Sequence, residues 1–75
     1  MFAMHLRPEA LIRLREEYPV GTRVEMVEMN DPYREMPPGL KGTVQMVDDA
    51  GSIQINWDNG STLAAIHGFD RIKKV

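Results

Sequence analysis

Three turn signals cut the second half of this chain into short pieces: Pro37-Pro38-Gly39, Asp48-Asp49-Ala50-Gly51 and Asp58-Asn59-Gly60. Glycine and its turn-forming neighbours at such spacing favour an all-β architecture. Between the signals, Thr43–Val47 and Ser52–Trp57 read as strands, and Ile53, Ile55 and Trp57 alternate with Gln54 and Asn56. Ahead of them Arg23–Met29 also has period two, with Val24 and Met26 on one face and Val27 and Met29 on the other. Apolar residues on both faces predict a bent or bulged strand whose second side is covered by a helix. The segment Asn30–Gly39 is too proline-rich for a central strand and reads as a long loop. His67-Gly68-Phe69-Asp70 has room for a single helical turn, and Arg71–Val75 closes the chain as a last strand with Ile72 and Val75 inward.

Turn chemistry sets the expected registers. A four-residue loop at Asp48–Gly51 puts Val44 and Met46 on the face that carries Ile53 and Ile55. At the next hairpin, a two-residue Asn-Gly turn would place Leu63 across from Asn56, on the polar face. A type I turn with Gly60 in the left-handed region, forming a G1 bulge, places Leu63 across from Ile55 instead. The bulge is therefore the expected solution.

The first part of the chain has helical spacing. Pro8 suits the first position of a helix, where its missing N–H costs nothing. Leu11, Leu14 and Tyr18 then recur on one face, and Glu9 and Arg13 form an i,i+4 pair. Pro19 stops the helix by Tyr18. So short a helix is marginal alone and must dock its apolar stripe. The order is then helix, strand, long loop, three-strand meander, one turn and a final strand. That pattern predicts a mainly β fold: an SH3-like five-stranded small barrel with a short N-terminal α-helix. Residues 1–18 form the arm and helix packed on the barrel, and residues 19–75 form the barrel itself.

Seventy-five residues make one domain with a thin stability margin. The absence of cysteine excludes disulfides, thiolate metal sites and a cysteine nucleophile. A net charge of -2 argues against a protein devoted to neutralising phosphates, while leaving room for a local basic patch. The apolar stretch Met1–Leu6 lacks the long uninterrupted core of a signal peptide, and no run approaches membrane-spanning length, so a cytoplasmic setting is expected.

Four strings in order carry a family resemblance. They are Tyr18-Pro19-Val20-Gly21-Thr22-Arg23-Val24-Glu25-Met26, Pro37-Pro38-Gly39-Leu40-Lys41-Gly42-Thr43-Val44, Val47-Asp48-Asp49-Ala50-Gly51 and Trp57-Asp58-Asn59-Gly60-Ser61. Together they resemble a bacterial and phage family, Domain of Unknown Function 4314, from about Tyr18 to Val75, with the helix as an extension. The resemblance implies a small barrel and a bacterial or mobile-element setting. It brings no catalytic residues.

Several residues are candidates for contact with a partner. Tyr33, Met36, Pro37 and Pro38 lie on the loop after the first strand, which borders the ligand face of SH3-like barrels. The alternative is that this loop folds back to cap the barrel. Trp57, the one tryptophan, has two readings: a groove aromatic for an extended ligand, or a core residue at the end of the barrel. Lys41, Arg71, Lys73 and Lys74 are candidates for a nucleic-acid surface of Tudor or KOW type, or else an edge strand protected by its charges. His5 and His67 are too few for a metal site. The aspartates of the turns lack the spaced ligands of an EF-hand loop. Pro38–Thr43 lacks the spacing of a phosphate-binding loop. Phe2, Met4 and Leu6 alternate ahead of Pro8 and suit an apolar arm, which would cover the barrel or join a second copy.

The expectation is a non-catalytic interaction module that needs no cofactor and binds a protein partner through the first loop and the neighbouring barrel edge. Nucleic-acid binding through the basic residues is the alternative. A homo-oligomer formed through the N-terminal arm also fits the composition.

Overall fold

A computed structural model describes residues 7–28, 37–66 and 70–75. One helix, α1 (Pro8–Glu17), precedes five strands: β1 (Arg23–Glu28), β2 (Lys41–Val47), β3 (Ser52–Trp57), β4 (Ala65–Ile66) and β5 (Arg71–Lys74). The strands form one antiparallel sheet in the order β4-β3-β2-β1-β5. The chain is thus mainly β with a short N-terminal helix. Among the described residues the sheet is open, with β4 and β5 as its two edges.

The helix starts with Pro8 in its first turn and ends at Tyr18, whose N–H donates to the Leu14 carbonyl at 2.9 Å. Pro19 then prevents a further turn. Leu14 is buried in the cluster that holds Val24, Met26, Val44, Val47, Ile53, Ile55, Trp57 and Ala65. The helix therefore packs on the same face of the sheet as Val24 and Met26, and Arg15 ties it to β2 by donating to the Val47 carbonyl at 3.1 Å. This corrects the expectation that α1 covers the other face of β1, where Val27 is exposed. Val27 faces outward by simple alternation from Met26 and is 37% exposed. The expected bulge is present: the β1–β5 register shifts between Met26 and Glu28, which puts Glu28 beside Arg71 on the outer face.

A second bulge overturns the placement of Met46. Val44 pairs with Ile55 and Val47 with Ile53, but the register shifts between Val44 and Met46. The extra residue in β2 brings Val47 into the core and turns Met46 outward opposite Gln54, where it is 51% exposed. The register departs from the expected four-residue loop at the turn itself. Val47 pairs with Ile53 rather than Ser52, so the loop is odd in length, and the bulge then brings Val44 back across from Ile55.

The hairpin turns have local causes. Asp48 Oδ1 accepts from the N–H groups of Ala50 (3.0 Å) and Ser52 (2.9 Å), and its Oδ2 accepts from Gln54 Nε2 at 3.2 Å. At the β3–β4 connection Gly60 has φ +91°, its N–H donates to the Trp57 carbonyl, and the Trp57 N–H donates to Ser61 O at 2.8 Å. That is the geometry of a type I turn with a G1 bulge. Extending the pairing of Ile53 with Ala65 places Leu63 across from Ile55, although paired strand begins only at Ala65.

Candidate functional site

Pro37 and Pro38 are exposed and stand in a rigid turn. Pro38 occupies the second position and Gly39, at φ +90°, the third. This is the type II arrangement that proline and glycine favour at those positions. The turn is closed by Leu40 N–H to Pro37 O (3.2 Å) and pinned to β1 by Gly39 N–H to Met26 O (2.8 Å). Tyr33 and Met36 lie outside the described residues, as do His5, His67, Phe69 and the arm of Phe2, Met4 and Leu6.

Trp57 belongs to the core. It is 3% exposed, and its indole N–H donates to the Leu63 carbonyl at 2.8 Å. Its partner across the ladder is Gly42, whose missing side chain leaves room for the ring. Buried on its apolar body and bonded at its polar edge, Trp57 presents no surface to a ligand and leaves the set of candidate contact residues.

The candidate basic residues split between two faces. Lys41, Arg71 and Lys73 share the outer face of the sheet, where acids are interleaved with them. Glu25 on β1 lies between Lys41 on β2 and Lys73 on β5. Lys73 reaches Glu25 at 3.5 Å and Arg71 reaches Glu28 at 3.9 Å. Asp58 is clamped by both terminal nitrogens of Arg23, at 2.9 and 2.6 Å, and this hydrogen bonding holds its carboxyl below the ordinary range. Lys41 adds to the depression through its charge. Lys74 faces the other way and lies 5.4 Å from the centre of the Tyr18 ring. Burial, with a contribution from the Glu17 charge, raises the Tyr18 phenol, which keeps the ring neutral beneath the ammonium. The four cations thus do not form one unneutralised patch.

One surface feature escapes sequence reasoning. A groove of about 280 Å³ runs between the end of α1 and β2, lined by Arg15, Tyr18, Pro19, Val20, Met46 and Val47. Val20 is 74% exposed at its rim, and Met46 is open because the odd loop and the β2 bulge together set it across from Gln54. A mid-strand bulge without glycine has no simple sequence signature. No group of three or more potential metal ligands occurs among the described residues, and no helix there is long and apolar enough to cross a membrane.

No curated protein and no solved structure is significantly similar to the chain. A family model does match, over residues 7–75. The match takes in α1, so the helix is part of the family's domain rather than an extension ahead of Tyr18. The chain belongs to the family described as Domain of unknown function (DUF4314).

Proposed function

We propose that this domain is a non-catalytic interaction module that binds a protein partner through the loop after β1 and the neighbouring edge of the sheet. One juxtaposition carries the reading. Glu28, the last residue of β1, pairs with Arg71, the first of β5, so β1 ends beside an edge strand. The exposed, stiff Pro37-Pro38 turn is pinned to β1 through Met26. Preformed turns lose little entropy on binding, and loops on a rigid sheet are common recognition elements. A cytoplasmic setting in a bacterium or a mobile element is consistent with this role.

The test is capture from a lysate of the source organism by immobilised domain. A partner held by the natural chain is expected to be lost with Tyr33→Ala/Met36→Ala, with folding checked by Trp57 emission. Capture unchanged by that double substitution would remove the loop from the site. Nucleic-acid binding is the second reading, favoured by the shared outer face of Lys41, Arg71 and Lys73. The acids interleaved there weigh against it.

A further inference from the structure

In an antiparallel pair, residues alternate between those that bond their partner and those whose N–H and C=O point away. Val75 donates to the Arg23 carbonyl at 3.1 Å, which makes Arg23 and Val75 a bonded pair. Two residues along, Glu25 and Lys73 are bonded as well, and the pairs between, Val24 with Lys74 and Met26 with Ile72, are not. The other side of β1 agrees: Met26 donates to the Leu40 carbonyl at 2.7 Å, toward β2 and away from β5. The N–H and C=O groups of Ile72 and Lys74 therefore point outward from the edge of the sheet.

We infer that this edge of β5 accepts an extended acidic segment of a protein partner as an added strand, an inference that rests on the interaction-module reading above. Backbone groups of Ile72 and Lys74 supply the ladder, as in strand addition generally. Charge selects the occupant. Between Arg71 and Lys74 the strand carries three cations and no acid. Arg71 and Lys73 point to one face, 73% and 61% exposed, so cross-strand carboxylates would meet them directly. The Arg71–Glu28 pair is exposed on both sides and long at 3.9 Å. Lys73 is exposed although its partner Glu25 is half-buried, and the cation ends of such pairs are free enough to exchange. A second copy of this chain is the poorer occupant. A two-fold axis through Ile72 sets Arg71 opposite Lys73, and one through Lys73 sets Lys73 opposite itself, like against like in both cases. Nucleic acid could use the cations but not the outward N–H and C=O groups in a ladder.

The test is amide hydrogen exchange by NMR on the full chain, with a capped peptide alternating glutamate and threonine and its lysine-threonine counterpart as probes. Slowed exchange at Ile72 and Lys74 with the acidic peptide alone is expected. Arg71→Gln/Lys73→Gln should weaken the effect several-fold. Lys74→Pro deletes one outward N–H without touching the β1 ladder, which edge strands tolerate. It should abolish protection at Ile72, whereas Lys74→Ala should retain it; Trp57 emission verifies that both variants fold. Equal protection by the lysine peptide, equal behaviour of the two Lys74 variants, or a response to duplex DNA but not to the acidic peptide would overturn the proposal. If the edge stays unprotected while capture still depends on Tyr33 and Met36, the edge assignment alone falls. If capture ignores the loop while the peptide still protects the edge, the loop assignment alone falls.

Discussion

Gly42 shows how closely single atoms are fitted in this small domain. A Cβ built there would stand 2.6 Å from Ile55 Cγ2, 2.8 Å from Trp57 Cε3 and 3.0 Å from the Asn56 carbonyl oxygen. Strand β3 supplies all three obstacles, and one of them is backbone. Gly42→Ala is expected to cost about 1–3 kcal/mol by overpacking. Each kcal/mol lowers Tm by about 4–8 °C in a domain of this size. Thermal unfolding followed by Trp57 fluorescence measures it, and an unchanged Tm would show that the two strands can part freely. Asp58 carries a second prediction. Its carboxyl is depressed by the Arg23 hydrogen bonds, so the stability it contributes is present above its ordinary value of 3.8 and is lost as pH falls through the lower folded value. An NMR titration of the Asp58 carboxyl carbon should give a midpoint below 3.8, returning toward it in Arg23→Gln. A normal midpoint in the natural chain would mean that the clamp does not hold in solution.

At the scale of elements, the β2–β3 hairpin depends on one side chain. Asp48 satisfies the N–H groups of Ala50 and Ser52 and the Gln54 amide at once. Its backbone N–H and carbonyl also close the loop with Ser52 and Gly51, at 3.0 Å each. Asp48→Ala leaves those donors to water and is expected to cost about 1–2 kcal/mol, in the range of lost capping bonds. Chemical denaturation would measure the loss. Asp48→Asn should recover part of it, because the amide oxygen still accepts, and equal loss in both variants would contradict the account. The same hairpin marks where sequence reading succeeds and where it stops. That a turn falls at Asp48–Gly51 follows from residue chemistry, but its expected four-residue length does not hold, since Val47 pairs with Ile53. In the next connection, after β3, the G1 bulge at Gly60 does follow: glycine alone takes a positive φ cheaply, and leucine is costly on a polar face. The outward turn of Met46 does not follow, because it needs both an odd loop length and a mid-strand bulge, which answers to the shape of the packed sheet rather than to the residue that bulges. The helix bounds were legible from Pro8 and Pro19, yet the face on which α1 packs was not, since Val27 alone gave no sign that it stays uncovered.

For the whole molecule, the mainly β fold with its leading helix was readable from period, turns and family strings. The site was readable only in part. Pro37 and Pro38 are exposed as a contact surface requires, while Trp57 is enclosed by Gly42 and the Leu63 carbonyl. No composition rule distinguishes those two outcomes for a tryptophan at a strand end. Likewise, the basic residues near the C-terminus look like one patch in sequence. Strand pairing instead sets Glu25 and Glu28 beside Lys73 and Arg71 and sends Lys74 to Tyr18. On this account the domain recognises protein, and its cations serve the sheet edge rather than phosphates. The most direct test is an amide NMR titration with short single- and double-stranded nucleic acids at low salt. The account predicts a spectrum that stays unshifted. Shifts gathered on Lys41 and Arg71–Lys74 that fade as salt is added would contradict it and mark a phosphate-binding surface.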